Sequence, residues 1–377
     1  MEKAKVYFTD FRTPAYGEPL PQKLQRLIRT AGIGNIDFDG KFVAIKIHFG
    51  EHGNLSFLRP NYARAVVDLV KELGGKPFLT DCNTMYPGFR KNALEHLYCA
   101  WENGFTPLAA GCPILIGDGL KGTDDLAVPV AGGEYVKEAF IGRAVMDADI
   151  FISLTHFKGH EEAGFGGAIK NIGMGCGSRA GKKDQHSSGK ASVDASLCRG
   201  CRKCQKECAN GGLVFDAESR KMTVDPEHCV GCGRCLGSCN FDAIAFMNFD
   251  APEKLGCKMA EYAKAVVDGR PHFHISLIVD VSPNCDCHQE NDAPILPDIG
   301  MLASFDPLAL DQACADLCQA ATPLRNSQLG DNMAGPGFHD HHDHFKNNNP
   351  VSDWTACLAH AEKIGLGTRD YELITLR

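Results

Sequence analysis

The sequence lacks the features that would assign the chain to a membrane, to secretion or to nucleic acids. It contains no apolar run near the roughly 18 residues that mark a membrane-spanning helix. Its first residues, MEKAKVYFTDFRTP, are mixed and polar and do not resemble a signal peptide. Positive charge is also scarce, because 39 Lys and Arg face 47 Asp and Glu, giving a net charge of −8. We therefore expect a cytoplasmic protein that binds neither nucleic acid nor a membrane surface.

The composition is otherwise that of a globular protein, with one unusual feature. Hydrophobic residues make up 44% of the 377 residues and charged residues 23%, which excludes a disordered chain. The unusual feature is the number of cysteines, which is 18. In the absence of an export signal, so many cysteines indicate metal binding or catalysis rather than disulfides, and a reducing, anaerobic cytoplasm.

Two cysteine runs share the spacing C-x2-C-x2-C-x3-C, which is typical of bacterial ferredoxins with two [4Fe–4S] clusters. In such a pair of runs, three thiolates bind one cluster and the fourth binds the other. The sequence therefore predicts one cluster on Cys198, Cys201, Cys204 and Cys239, and a second on Cys229, Cys232, Cys235 and Cys208. Structural zinc is the alternative, but a zinc ion needs only four ligands, which the doubled run exceeds. Ala209 and Asn240 replace the proline that usually follows the fourth cysteine, a change that removes no ligand.

The remaining cysteines and a histidine tract leave further metal sites open. Cys314 and Cys318 lie four residues apart in an apolar helical stretch, which favours packing in the core. Cys285 and Cys287 follow a predicted strand in the sequence Cys-Asp-Cys-His, so either a third metal site or plain thiols fit there. The tract His339–His344 lies between PG and NNNP, and we interpret it as an exposed surface rather than a catalytic site.

The rest of the chain predicts an α/β fold. Short β-branched runs alternate with amphipathic helical segments, as in KFVAIKIHFG (41–50) followed by RPNYARAVVDLVKELGG (59–75). This alternation indicates a mostly parallel sheet with helices on both faces, and it resumes after residue 250. We therefore predict an α/β domain in two parts, 1–190 and 251–377, interrupted by an inserted two-[4Fe–4S] ferredoxin-like module over 191–250. Three independent domains in series are the alternative.

Polar residues at the ends of the predicted strands indicate a site, because ligands of open α/β sheets bind beyond the carboxyl ends of the strands. A glycine-rich segment follows the third of these strands and would let backbone amides approach a ligand closely. The candidate catalytic residues are His156, Lys158, His160, Lys170 and His186. The candidate cofactor-binding residues are Gly164, Gly166, Gly167, Lys46, His48 and Asp81.

With these residues assembled, the chain resembles the domain of unknown function 362 family, described as uncharacterised iron–sulfur-centre proteins. The resemblance rests on stretches such as KIHFGEHGN (46–54), LTDCNTMYPGFR (79–90) and HFKGHEEAGFGGAIKNIGMGC (156–176), together with the two cysteine runs and the ending GLGTRDYELI (365–374). It covers nearly the whole chain. Since the family carries no established reaction, the resemblance implies an organisation rather than a chemistry.

A fainter resemblance points to lactate racemase-like proteins, which use a nickel-pincer nucleotide. The segment from His160-Glu-Glu-Ala-Gly-Phe through Lys170 to His186 is similar to their pattern. The resemblance implies that Lys170 tethers the cofactor, that His186 binds nickel and that His160 acts as acid or base. Ile169 and Met174 depart from the pattern, since a basic residue and a proline are usual there, and that family lacks the ferredoxin cysteines.

Three functions follow as hypotheses. The first is an iron–sulfur oxidoreductase that passes electrons between the two clusters and a substrate or organic cofactor at the glycine-rich edge. The second is a non-enzymatic electron carrier or adaptor that docks a redox partner protein. The third is a racemase-like enzyme with a nickel cofactor on Lys170. The first ranks ahead of the second because an electron carrier has no need of histidines and lysines grouped beside its clusters.

Overall fold

The structure, a computed structural model, describes residues 3–86, 88–246 and 249–376. In chain order the strands are β1 (Ala4–Asp10), β2 (Phe42–Lys46), β3 (Lys76–Asp81), β4 (Ile114–Ile116), β5 (Asp125–Pro129), β6 (Glu138–Gly142), β7 (Ile150–His156), β8 (Lys158–His160), β9 (Gly164–Gly166), β10 (Ala191–Val193), β11 (Leu213–Asp216), β12 (Lys221–Val224), β13 (Ile244–Phe246), β14 (His272–Ile278), β15 (Gly300–Ser304) and β16 (Tyr371–Thr375).

The helices follow the same order. They are α1 (Leu20–Thr30), α2 (Pro60–Glu72), α3 (Ala93–Glu102), α4 (Pro107–Ala110), α5 (Arg143–Asp147), α6 (Ala168–Cys176), α7 (Arg179–His186), α8 (Lys203–Glu207), α9 (Arg234–Ser238), α10 (Pro252–Val267), α11 (Pro307–Ala320), α12 (Gln328–Ala334), α13 (His344–Asn348) and α14 (Thr355–Lys363). Within the described ranges, none of them combines the length and the apolar character that crossing a bilayer requires.

The largest sheet has the strand order β16-β1-β15-β14-β7-β2-β3-β4. β15 runs antiparallel to both of its neighbours, β1 and β14. The pairs β14–β7, β7–β2, β2–β3 and β3–β4 are all parallel. The predicted α/β class with a mostly parallel sheet is therefore confirmed. Because β2, β3, β7 and β14 point the same way, their carboxyl ends meet at one edge of the sheet.

The central strands are buried on both faces, so alternate side chains enter two different cores. On β7, Ile152 and Leu154 pack on the face covered by α1 and α2, whereas Phe151 packs on the opposite face with side chains of α6, α10 and α11. This is why these strands read as continuous apolar runs in the sequence. Cys314 and Cys318 of α11 lie in the second core, as predicted.

Local sequence fixes several helix starts. The Asn92 side chain accepts hydrogen bonds from two backbone N–H groups of α3, and Asp306 does the same for α11. Pro60 and Pro252 occupy the first position of α2 and α10, where a helix needs no N–H donor.

Between α7 and α10 the chain forms two small antiparallel strand pairs, β10–β13 and β11–β12, with the short helices α8 and α9 between strands. A small core unites them and includes Cys198, Cys204 and Cys235 with Leu213 and Met222. β7 and β14 are neighbours in the large sheet although this segment separates them in sequence. The boundaries at 190/191 and 250/251 remain predictions.

Candidate functional site

A cavity of about 480 Å³ opens at the shared carboxyl edge of the sheet, and a smaller cavity adjoins it beneath. The walls of the larger cavity include His160, Glu161, Lys170, His186, Cys287 and His288. Lys170, Tyr86, Met174 and Cys287 line both cavities, so the two form one continuous cleft. The structure thus brings together residues that are widely separated in the sequence.

Helix α6 carries Lys170 into this cleft, and another helix holds its first turn. Asp311 of α11 accepts hydrogen bonds from the N–H groups of Ala168 and Ile169, at 2.6 and 2.9 Å. Burial raises the pKa of Asp311 to about 7, despite these two donors. Gly167 is required here, because a Cβ at that position would lie 2.4 Å from the Asp311 carboxylate.

Lys170 points at a pair of thiols. Its Nζ lies 3.3 Å from Cys285 Sγ, and the N–H of Cys287 donates to the same sulfur at 3.4 Å. A hydrogen bond from the Cys287 thiol and the charge of Lys170 hold the pKa of Cys285 well below its ordinary value. Burial by itself would lower the pKa of Lys170, but the neighbouring sulfurs of Cys285 and Cys287 outweigh this effect and raise the pKa. Lys170 and Cys285 therefore form a buried ammonium–thiolate pair.

His160 and His186 contribute neutral imidazoles to the cleft. His160 Nδ1 accepts hydrogen bonds from the N–H groups of Glu162 and Ala163 at 3.1 and 3.0 Å, so the proton of the neutral ring lies on Nε2, which is a hydrogen-bond donor. Burial, assisted by the charge of Lys170, lowers the pKa of His160 to about 4 and that of His186 to about 3. Both side chains are therefore uncharged at pH 7.

His156 and Lys158 both contact the carboxylate of Asp286, which lies between two cysteines of the cleft, Cys285 and Cys287. His156 Nδ1 lies 2.8 Å from Asp286 Oδ1, and its Nε2 lies 2.7 Å from the carbonyl oxygen of Val279. Lys158 Nζ lies 3.3 Å from the other Asp286 oxygen. Burial opposes ionisation, but His156 and Lys158 hold the pKa of Asp286 well below its ordinary value. Lys158 lines the smaller cavity, whereas both nitrogens of His156 are already engaged by protein atoms.

The predicted cofactor-binding residues fall into two groups. Lys46 and His48 belong to a buried network on the floor of the smaller cavity, where Lys46 Nζ lies 3.0 Å from Asp81. Gly166 and Gly167 line that same cavity. Gly164 has a different position, because its Cα faces Trp354 so closely that a Cβ would lie 2.8 Å from the indole ring.

Several residues of the cleft escaped the sequence reasoning. Arg90 donates to Glu51 at 2.9 Å and lies 2.9 Å from His48 Nε2, so its side chain contacts residues about 40 positions earlier in the sequence. Asn171 accepts from Lys46 Nζ at 2.8 Å. Glu161 lies beside His288, with Glu161 Oε1 3.2 Å from His288 Nε2. Of these, only Glu161 had a visible signal, because it directly follows His160.

The cysteine loops lie next to the cleft. A small cavity is lined by one cysteine of the first run, Cys208, and three of the second, Cys229, Cys232 and Cys235. Burial, together with the nearby thiols of Cys239, Cys201 and Cys198, raises the pKa of Cys204 to about 11. The N–H groups of Gly200 and Met222 each donate to Cys198 Sγ at 3.4 Å. Thiols of the two runs therefore lie close to one another.

Helix α7 connects the cleft to these loops. His186 at its end lines the larger cavity, while Lys183 donates a hydrogen bond to the carbonyl oxygen of Gly231. Arg179 at its start donates to the Leu236 carbonyl at 3.2 Å and to the Met85 carbonyl at 3.3 Å. One helix thus touches both the cleft and the loop that carries Cys229, Cys232 and Cys235.

The histidine tract lies away from the cleft. His344 Nε2 is 3.0 Å from the Ala321 carbonyl oxygen, and the exposed His342 lies 3.3 Å from Asp340. His339 and His341 contact each other edge to face, with ring centroids 4.9 Å apart. None of these four histidines contributes to the walls of the two joined cavities.

Comparison with known proteins gives a family, one curated relative and remote structures. The family model described as "Domain of unknown function (DUF362)" matches residues 43–316. A thylakoid-associated protein of Synechocystis sp. is 29% identical over 154 residues, which span 38% of this chain and 42% of that protein. The chain thus matches less than half the length of this relative.

Two solved structures are also similar. The lactate racemase apoprotein of Thermoanaerobacterium thermosaccharolyticum shares 12% identity at a TM-score of 0.36, over 74% of this chain and 52% of that one. A Thermotoga maritima protein from a structural genomics consortium shares 10% identity at a TM-score of 0.40, over 80% of this chain and 57% of that one. Neither similarity carries a conclusion about activity.

Proposed function

Because the chain belongs to the DUF362 family, whose description names no reaction, we propose a function from the site itself: an iron–sulfur protein that transfers electrons through two [4Fe–4S] clusters to a substrate or cofactor in the adjoining cleft. In this proposal the segment over 191–250 is a ferredoxin-like module inserted into the α/β domain. The observation that carries the proposal is the cavity lined by Cys208, Cys229, Cys232 and Cys235.

The donor set fits the clusters. Cys208 belongs to the first cysteine run and the other three to the second, so the cavity has the three-plus-one composition that a two-cluster ferredoxin requires. The same composition recurs around Cys204, because the thiols that raise its pKa include Cys198 and Cys201 of its own run and Cys239 of the other. The N–H donors to Cys198 Sγ are of the kind that tune cluster potentials.

The cleft supplies the groups that a redox reaction needs around its substrate. The bound clusters would supply electrons one at a time. His160 and His186 are neutral at pH 7. The Nε2–H of His160 would donate a hydrogen bond to a substrate oxygen, and His186 would accept or return a proton. The Lys170 ammonium would bind an anionic or carbonyl oxygen at the inner wall. The contacts of α7 with both the cleft and the Gly231 loop support a short path between the two.

Iron analysis tests the clusters. We expect about eight irons per chain after anaerobic reconstitution, with EPR signals of reduced [4Fe–4S] centres. Cys229→Ser and Cys198→Ser should each reduce the iron content by about half, whereas Cys112→Ser, at a buried thiol outside both runs, should not. A wild-type content below about six irons would overturn the two-cluster assignment.

A second experiment separates the oxidoreductase from a simple electron carrier. The dithionite-reduced protein is mixed anaerobically with a small-molecule extract of cells, and reoxidation of the clusters is followed by absorbance. Lys170→Met and His160→Gln should retain both EPR signals but slow reoxidation at least tenfold if the substrate binds in the cleft. Unchanged reoxidation rates in both variants would favour a carrier.

The racemase-like enzyme is the second candidate, because Lys170, His160 and His186 line one cavity. In that case Lys170 would tether the cofactor and His186 would bind its nickel. Intact-protein mass spectrometry and nickel analysis provide the test. A covalent adduct at Lys170 accompanied by nickel would replace the first proposal with this one.

A further inference from the structure

Three potential metal ligands converge on the wall of the larger cavity. A carboxylate oxygen of Glu161, the Sγ of Cys287 and a ring nitrogen of His288 all lie within 4.8 Å of one another. Glu161 stands in the turn between β8 and β9, and the other two residues follow β14, so the fold brings together two distant parts of the chain. None of the three belongs to the cysteine runs.

The surroundings of His288 match a prepared metal ligand. Its Nδ1 lies 3.1 Å from Glu290 Oε1, which leaves Nε2 directed at Glu161. A carboxylate on the far nitrogen is the usual partner of a metal-binding histidine, since it fixes the ring orientation and increases the basicity of the ligand nitrogen. Without a metal, His288 Nε2 and Glu161 Oε1 are hydrogen-bonded to each other at 3.2 Å.

The backbone that carries the ligands is held firmly. The N–H of His288 donates to the Cys285 carbonyl at 3.0 Å, and its own carbonyl accepts from Asn54 Nδ2 at 3.0 Å. The Asp286 carbonyl accepts from the N–H of Glu51 at 2.9 Å. Because the loop is already rigid, less conformational entropy is lost when its side chains bind a metal ion.

One oxygen of Glu161 supplies an independent indication. Glu161 Oε2 is buried and has no hydrogen-bond partner among the described residues, an arrangement that is unfavourable unless a further group binds there. Cys285 is not available as a fourth ligand, because its sulfur is paired with the Lys170 ammonium at 3.3 Å. Among the described residues, three side chains thus remain as ligands, and all three line the cavity.

We propose that Glu161, Cys287 and His288 bind a divalent metal ion of borderline softness, such as zinc or ferrous iron, with an open coordination position facing the cavity. A mixed sulfur, nitrogen and oxygen set suits ions of this class, and three protein ligands plus an open position are typical of catalytic rather than structural sites. A water molecule or substrate oxygen on the open position would share the cavity with His160, whose Nε2 lies 3.7 Å from Glu161 Oε1, and with His186. The site is independent of the two proposed clusters.

Zinc is the probe for this site. The cluster-loaded protein is titrated anaerobically with zinc in competition with a fluorescent chelator, and iron is counted in the same samples. We expect one zinc per chain in addition to the cluster irons. Cys287→Ser, His288→Ala and Glu161→Gln should each weaken zinc binding at least tenfold, since each removes one of three ligands. Cys112→Ser and His342→Ala are the matched controls and should bind like the wild type.

The role of Glu290 is tested by a pair of variants. Glu290→Ala should weaken zinc binding about 10- to 100-fold, whereas Glu290→Gln, which keeps an oxygen acceptor, should recover most of the affinity. A merely structural role would not distinguish the two variants in this way.

X-ray absorption at the zinc edge identifies the ligands. We expect one sulfur at about 2.3 Å with nitrogen and oxygen at about 2.0 to 2.2 Å. A shell of four sulfurs would place the zinc in the cysteine runs and would overturn the proposal, as would zinc binding that is unaffected in all three ligand variants. Because iron and zinc are counted separately, failure of this site and failure of the clusters are distinguishable.

Discussion

At the scale of single residues, buried charges dominate the cleft, and their partners decide what each substitution costs. Arg90 is fully enclosed and pairs with Glu51, while Lys46 pairs with Asp81. Removing one member of such a pair leaves a buried charge without its partner. The same side chains on the surface would contribute little, because water screens them.

Arg90→Met should therefore destabilise the protein strongly. We expect a loss of about 3 to 5 kcal/mol in the free energy of unfolding, measured by urea denaturation, because Glu51 and Asp81 lose a buried cation. Arg64→Ala breaks the exposed pair with Asp68 and should change stability by less than about 1 kcal/mol. Equal losses in the two variants would contradict this account of Arg90.

The raised pKa of Asp311 predicts how the stability of the protein depends on pH. Burial raises its pKa to about 7 from about 4 in an unfolded chain, so folding favours the protonated acid. The favourable contribution of Asp311 to the free energy of unfolding is fully present below about pH 4 and is lost as the pH rises through about 7. The melting temperature of the wild type minus that of Asp311→Asn, measured by scanning calorimetry, should therefore fall from pH 4 to pH 7. A difference that stays constant or grows would contradict the assignment.

At the scale of secondary-structure elements, α6 is the helix that positions Lys170 and Asn171. It packs against α10 so closely that a Cβ on Gly173 would lie 2.1 Å from the Met259 carbonyl oxygen. Its first turn is held by Asp311 rather than by a residue next to it in sequence. The glycines here permit close packing, in addition to the approach of a ligand that the sequence suggested.

Gly173→Ala should accordingly push α6 away from α10. We expect a loss of about 1 to 3 kcal/mol in the free energy of unfolding, since the methyl group overpacks a rigid backbone contact. Gly34→Ala is the matched control, because a Cβ at that position meets no atom within 4 Å. A Gly173→Ala variant as stable as Gly34→Ala would show that α6 can shift freely.

At the scale of the whole molecule, the segment with the cysteine runs and the large sheet meet through α7. Lys183 donates to the Gly231 carbonyl and lies over the Phe246 ring, with its Nζ 4.8 Å from the ring centroid. Arg179 makes the second link, to Leu236. These contacts join the cysteine loop to the wall of the cleft.

Lys183→Met should weaken that link and expose the nearby cluster. With two proposed clusters loaded, we expect iron loss to a chelator to become about tenfold faster for one of them, because a hydrogen bond from a charged donor contributes about 1.5 kcal/mol. Lys206→Met, at an exposed lysine of α8, is the control. Iron loss at the wild-type rate would mean that α7 does not support the loop.

The sequence alone determined the α/β class and the candidates at the strand ends, because strand alternation, apolar runs and terminal glycines are local patterns. It also determined the two cysteine runs, whose spacing is local. The strand β15, which reverses direction within the sheet, has no such local signature.

Only the tertiary structure decided which candidates share a cavity. It joined Lys170 to Cys285 and Glu161 to His288, engaged both nitrogens of His156, and turned Gly164 toward Trp354. It also revealed Arg90 and Asp311, whose partners are distant in sequence. The physical reason is that ion pairing and burial depend on separations in space, which folding sets and residue spacing along the chain does not.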